Sequence, residues 1–393
     1  MRRLQVQYFL SYAILGAISP LLSVFLKEVK GFDEAMVGVG MALVAGANLV
    51  SPSLITWLAD VKARPSHLLA GAFLLVTGVL ATMLLPTTHA VTLGLMGLYG
   101  LSVVAILPLQ DGLYFATTSA RRAAGQPTLE YPRVRVWGTV GFIVPSIILW
   151  VWMGQVADVR VAIWTGMIFS VLCFLRMVRT NDEMAAPAVV RAMGNKRRVP
   201  ARLAWAFLLG PRGRWFCVGL AISACASVAY HYFVPLYLRN HLHVPGRWIP
   251  AITNLGVVFE VGWTLAVPWL QRRLGLRWII LGGLGAMIVR LAALGFQPSL
   301  LTILLVQWGH GWEIVALYVV SIVWLNRQAD DEFRHSMQGA FSMLLGGARL
   351  LGSLGAGWLA ERDILLMFKV AAGVALVGWT VLALRFHEKG HES

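Results

Sequence analysis

Gln307, His310 and Glu313 follow one another at intervals of three within QWGHGWEIVALYVV, residues 307–320. An imidazole titrates near neutral pH, and a carboxyl is raised towards neutrality by burial and lowered again by a nearby cation, so this pair has the chemistry of proton exchange. On a helix each residue turns by about 100°, so steps of three keep the trio on one drifting stripe. The pair could satisfy each other by hydrogen bonding, or act as an acid and a base. A metal site is not expected, because no third His, Cys or carboxylate lies nearby in sequence.

Other costly residues fall inside apolar runs. Asp111 stands three residues beyond Pro108 in ILPLQDGLY, and Arg135 opens the span in YPRVRVWGTVGF, behind Arg133, which reads as an ordinary positive-inside charge. Glu260 lies in GVVFEV, Arg290 in GAMIVRLAALG, and Arg349 among Gly346, Gly347 and Gly352. Ser223, Ser227 and His231 share a helix face at i, i+4 and i+8. At the centre of a membrane helix a charge costs roughly 2.5–3.5 kcal/mol, against a gain of about 0.3–0.6 for each Leu, Ile, Val or Phe. One such charge cancels about six leucines, so these side chains should face a cavity or one another.

The elements that must carry them are membrane helices. The 393 residues are 58% hydrophobic and 13% charged, with a mean hydropathy of +0.71, well beyond a soluble domain of this size. Twelve apolar runs of spanning length are expected, at 6–26, 36–58, 67–85, 91–116, 134–154, 160–178, 214–238, 250–270, 277–296, 299–325, 336–359 and 363–385. The first, behind Arg2 and Arg3, is too long an apolar run for a signal peptide and is kept as a span. Cys173, Cys217 and Cys225 all sit inside spans and read as small core residues.

The formal net charge of +15 would suit nucleic acid, but its distribution does not. Lys and Arg crowd alternate loops, most densely in 179–213 with its basic cluster NKRRVPAR, while the opposite loops hold Lys27, Lys30, Arg160, Arg239, Arg247 and Arg362. The positive-inside rule then places both termini in the cytoplasm. No nucleic-acid partner is expected; the basic cluster could touch anionic membrane lipid. The segment 179–213 also divides the spans six and six, giving bundles at 1–178 and 214–393 joined by a cytoplasmic linker. The halves echo each other, WLADVKAR at 57–64 against WLQRRLGLR at 269–277, as in carriers built from two related bundles with a solute site at the midplane.

This layout resembles the major facilitator superfamily, whose cytoplasmic turn usually reads Gly-x-x-x-Asp-Arg-x-Gly-Arg-Lys. Asp60, Lys62 and Arg64 keep the charge pattern without the glycine; Arg272, Arg273 and Gly275 keep part of it without the acid. Within the superfamily the chain resembles the proton symporters of the lactose and phenylpropionate permease branch. YFLSYAILGAISPLLSVFLK, LPLQDG, VRVWGTVGF and GVVFEV are similar to phenylpropionate permease segments, and MQGAFSMLLGG to nucleoside permeases. The resemblance implies Glu313 as the carboxyl that takes and releases the proton, Arg290 as the cation that promotes its release, and His310 as the link to the solute. It likewise implies solute binding by Asp111, Arg135 and Phe142, with Glu260 as a further contact. Gln307 stands where the lactose permease has lysine, and Phe142 where it has tryptophan.

The expectation is therefore an all-α major facilitator fold in the inner (cytoplasmic) membrane, working as a monomer. It would carry a small organic solute (aromatic carboxylate, sugar or nucleoside) together with protons, without cofactor. A proton-driven antiporter exporting a drug or metabolite shares the fold. A membrane-embedded enzyme using His310 and Glu313 should also offer a nucleophile or metal cluster, which the sequence lacks, and no GxxxxGKS/T motif supplies an engine for primary pumping.

Overall fold

The computed structural model describes residues 2–60, 65–184, 201–328 and 331–386, and every regular element among them is a helix. In chain order these are α1 (Arg2–Ile18), α2 (Leu22–Glu28), α3 (Glu34–Asp60), α4 (Pro65–Leu84), α5 (His89–Ala123), α6 (Tyr131–Val156), α7 (Arg160–Met184), α8 (Ala201–Leu209) and α9 (Arg214–Leu236). There follow α10 (Ile249–Phe296), α11 (Leu300–Val306), α12 (Trp308–Ile314), α13 (Ser321–Arg327), α14 (Asp331–Arg362) and α15 (Ile364–Arg385). Lys62 and Arg64 of the first charged turn, and the basic residues Lys196, Arg197 and Arg198 of the linker, lie outside the described residues.

The span count agrees with the sequence once two irregular helices are understood. Among the described residues ten helices are long and apolar enough to cross a membrane, and the pair α1 and α2, bent by 40°, adds an eleventh. The bend falls at Pro20, whose ring blocks the helical bond and biases Ser19 away from the helical region. The 48-residue α10 contains Gly275 at φ 78° and ψ 165°, a conformation that ends one helix and begins another. It thus holds two of the twelve expected spans. The tenth span, expected as one helix over 299–325, is instead four pieces: α11, α12, a wide π turn at Val315–Val320, and α13. Such turns insert extra residues per helical turn and often mark functional sites.

The described helices group into two units. The first comprises residues 1–32, 46–196 and 245–251; the second comprises 33–45, 197–244 and 252–393. In the first, α1 packs on α6 and α7, and α4 on α5 and α7. Backbone touches backbone where α1 crosses α6: a Cβ on Gly141 would overlap the Phe9 carbonyl, and one on Gly16 would overlap that of Phe142. Small residues allow this approach, which in lipid replaces the hydrophobic force available in water. On the rim of this unit Lys30 Nζ donates to the Leu85 carbonyl at 2.7 Å and to Thr87 Oγ1 at 2.9 Å, tying the turn after α2 to the turn after α4.

In the second unit α9 packs along α14 and α15. The short α12 lies against α10 along both of its halves. Gly311 sits on the Glu260 backbone, Gly309 on the stem of Arg290, and Gly283 on the Trp312 carbonyl. Trp312 stacks on Trp263 with ring centroids 4.5 Å apart and donates its Nε1–H to the Ile279 carbonyl at 3.0 Å. These contacts hold His310 and Glu313 in a fixed place opposite Arg290.

Candidate functional site

Arg290 is the centre of the polar cluster in the second unit. It is 1% exposed and Glu313 is 0% exposed, so both charges have left water and must be matched within the protein. Arg290 Nη1 donates to Glu313 Oε2, and Nη2 bonds His310 Nδ1 at 3.1 Å. A guanidinium has only donors, so Nδ1 of His310 must accept and the ring carries its proton on Nε2. The carbon of the guanidinium lies 3.7 Å from the centroid of the Tyr230 ring, a cation–π contact in a dry setting. Tyr230 OH donates to Gln307 Oε1 at 2.8 Å, and Gln307 Nε2 donates to the Ile252 carbonyl at 2.9 Å.

Gln307, His310 and Glu313 are all buried, and Arg290 bonds two of the three. His231 of α9 adds a fourth titratable group, with Nε2 3.2 Å from Glu313 Oε1 and its ring edge-on to His310 at 5.3 Å. Arg349 of α14 stands 5.1 Å from the Tyr318 ring and within electrostatic reach of Glu313. Glu260, half-buried on α10, meets the cluster's helix through its backbone at Gly311.

His231, His310 and Glu313 bring ligand atoms within 4.8 Å of one another, types that could hold a metal ion. Arg290 already occupies Glu313 Oε2 and His310 Nδ1. A divalent cation would have to displace it or sit against a fixed positive charge.

The first unit holds a second cluster. Asp111 Oδ1 accepts from Tyr8 OH at 2.5 Å and from Tyr131 OH at 3.0 Å. Around it Tyr131 stacks on Phe115 at 5.3 Å and meets Tyr114 edge-on at 5.2 Å. Arg135 stands over the Tyr12 ring at 4.2 Å, close enough for its charge to act on Asp111. Phe142, seven residues on along α6, is half-buried where that helix crosses α1. The family resemblance brought out Asp111, Arg135 and Phe142 but missed the two tyrosines that hold the carboxylate. A tyrosine costs little inside an apolar run, so nothing in the pattern set them apart.

Comparison with known proteins now has a geometry to meet. A model of the MFS_1 like family matches residues 1–370. The chain belongs to that family. Over 401 aligned residues, 95% of this chain and 93% of the relative, it is 21% identical to the xanthosine permease of Escherichia coli (strain K12). It is 26% identical over 378 residues, 94% and 93% of the two chains, to the "Probable 3-phenylpropionic acid transporter" of the same strain. Among solved structures, the nucleoside transporter NupG shares its fold with a TM-score of 0.85 at 18% identity, covering 98% of this chain and 99% of that one. The protein is thus a multi-pass membrane transporter of the MFS_1-like family.

Within this MFS_1-like chain some candidates have ordinary roles. Ser227 Oγ donates to the Ala224 carbonyl at 2.9 Å on its own helix, and Ser223 packs against Gly378 of α15, so of that face only His231 reaches the cluster. Arg133 is exposed. The three cysteines are unbridged.

Proposed function

We propose that the protein is a proton-coupled symporter of a small organic solute, with nucleosides the favoured class, and that Glu313 and Arg290 form its coupling switch. The observation that carries this reading is the Arg290–Glu313 ion pair, shut away from solvent and backed by His310. When Glu313 is ionised its charge holds Arg290. When it is protonated the pair loses its Coulomb attraction, and a guanidinium in a dry site must find another acceptor. One proton thus exchanges one arrangement of Arg290 for another, and the π turn at Val315–Val320 gives the helix that follows freedom to adjust. An inward proton movement supplies about 2.3 kcal/mol per charge for each 100 mV, plus the pH gradient, enough to accumulate a solute.

The first unit supports the solute side of the reading. Asp111 takes both phenolic bonds on Oδ1, which leaves Oδ2 for a hydroxyl donor, and the rings of Tyr8, Tyr131 and Phe115 give a planar base something to stack on. Arg135 and Phe142 complete the proposed solute contacts in this unit. One named relative is a xanthosine permease and another a probable 3-phenylpropionic acid transporter; the fold shared with the nucleoside transporter NupG tips the reading towards nucleosides here.

The test is uptake of labelled xanthosine by liposomes holding the purified protein, with and without an inward acid gradient. Accumulation should follow the gradient and alkalinise the outer medium, and Glu313→Gln should abolish it while solute exchange survives. Accumulation by Glu313→Gln at the unmutated level would refute the coupling role, and acidification in place of alkalinisation would make the protein an antiporter. If uptake is instead seen with phenylpropionate or maltose in the same liposomes, the solute class changes and the coupling stands.

A further inference from the structure

A carboxyl that takes up and gives back protons needs a route to water, and Glu313 has none of its own. Its side chain is 0% exposed and that of Arg290 is 2%. Arginine keeps its protons, so it cannot pass one on. His310 is buried, and its Nδ1 is tied to Arg290. His231 differs from all of these: its side chain is 19% exposed while its Nε2 lies 3.2 Å from Glu313 Oε1. It is the member of the cluster that touches both the accessible surface and the buried carboxylate.

We propose that His231 is the proton-entry residue for Glu313; this rests on the proton-coupled reading above. A proton from water bonds to Nδ1 of His231, the N–H bond at Nε2 breaks, and an O–H bond forms at Glu313 Oε1. One positive charge enters and one negative charge is discharged, leaving a neutral imidazole in its other tautomer. In the reverse order Nε2 takes the proton from Glu313 Oε1 while Nδ1 gives one to water, which returns the proton and restores the first tautomer.

The groups around this step come from every helix packed there. Arg290 from α10 bonds Glu313 directly, and His310 from α12 bonds Arg290 and brings a ring nitrogen within 4.8 Å of the carboxylate. Arg349 from α14 and Tyr318 from the π turn act on it electrostatically, and Tyr230 stands edge-on to His231 on α9 itself. Further along α9, α15 meets it through Gly378 and Leu382. Arg290 and Arg349 thus stand around the carboxylate that His231 bonds.

The experiment is a light-triggered pH jump on the purified protein, with the carboxylic-acid C=O band followed by time-resolved infrared spectroscopy. Glu313→Gln should erase one rising band. His231→Gln keeps a donor towards Glu313 but cannot relay; the band should reach its normal final height about a hundredfold more slowly, the scale of a lost general acid. In His231→Ala the rate should be equally slow and should recover on addition of imidazole, which a merely structural role would not produce; this variant also serves if His231→Gln fails to fold. A band that rises at the unmutated rate in both His231 variants overturns the relay while leaving the coupling role of Glu313 intact. If Glu313→Gln leaves every band in place, the proton-coupled reading itself fails.

Discussion

Arg290 and Glu313, twenty-three residues apart in sequence, meet as a donor–acceptor pair that neither water nor lipid reaches. Breaking a buried pair from one side strands a charge, and such losses run to about 3–5 kcal/mol. Arg290→Ala should therefore lower the melting temperature of the purified protein more than Arg290→Ala combined with Glu313→Ala. Equal or additive losses in the two proteins would show that the charges do not depend on each other.

The Tyr230 ring and the Tyr230 hydroxyl do separate things, and two substitutions distinguish them. Tyr230→Phe keeps the surface under the guanidinium and removes the bond to Gln307, a loss of about 1 kcal/mol. Tyr230→Ala removes the cation–π contact as well, a further loss of about 2 kcal/mol for a desolvated pair, together with the packing. Thermal unfolding should rank the native protein first, Tyr230→Phe second and Tyr230→Ala last. If the two variants melt together, the ring contributes nothing beyond its hydroxyl.

Asp111 is held by two phenols on one oxygen, so Asp111→Asn keeps the shape of the side chain and loses its charge. Bonds to a charged acceptor contribute about 1.5–3 kcal/mol each, so the KM for the carried solute should rise by roughly tenfold or more. Tyr8→Phe leaves the carboxylate with Tyr131 alone and should raise KM less. A KM unchanged in Asp111→Asn would remove this residue from the solute site.

How much of this was legible beforehand depends on what each residue costs in lipid. Asp111, Arg290, His310 and Glu313 stood out because charged and titratable side chains are rare in spanning helices, and the structure gathers the last three into one cluster. Tyr8, Tyr131 and Tyr230 did not stand out, because their rings suit an apolar run and only the fold shows where their hydroxyls point. The number of spans followed from hydrophobic length, whereas the broken tenth span did not. A helical period continues unmarked through Gln307, and the widening at Val315–Val320 falls in an unbroken apolar sequence. His231 was visible as one polar residue on a helix face, but its partner lies 82 positions away.

Glycine at the helix crossings gives a steric test with built-in controls. A Cβ at Gly311 would overlap the Glu260 backbone and one at Gly141 the Phe9 carbonyl, whereas Gly262 on α10 and Gly78 on α4 face open space. Overpacking of this kind costs about 1–3 kcal/mol. Gly311→Ala and Gly141→Ala should each lower the melting temperature, and Gly262→Ala and Gly78→Ala should not. Because Gly311 lies between His310 and Trp312, the first variant should also impair the proposed proton-driven uptake, while Gly141→Ala should act chiefly through the first unit.

The metal-like grouping of His231, His310 and Glu313 offers the most exacting test of the role given to Arg290. Three ligands of suitable type already lie within 4.8 Å of one another; what opposes a divalent ion is the guanidinium bonded to two of them. Removing that charge should turn repulsion into an acceptable three-ligand site of the kind zinc takes with a water as its fourth partner. Zinc should therefore raise the melting temperature of Arg290→Ala and leave the native protein unchanged, and the gain should vanish in Arg290→Ala with His231→Gln, which excludes binding at surface histidines. Stabilisation of the native protein by zinc, lost in His231→Gln, would mean that the cluster accepts a metal ion beside its arginine, and Arg290 would no longer be the charge that Glu313 answers to.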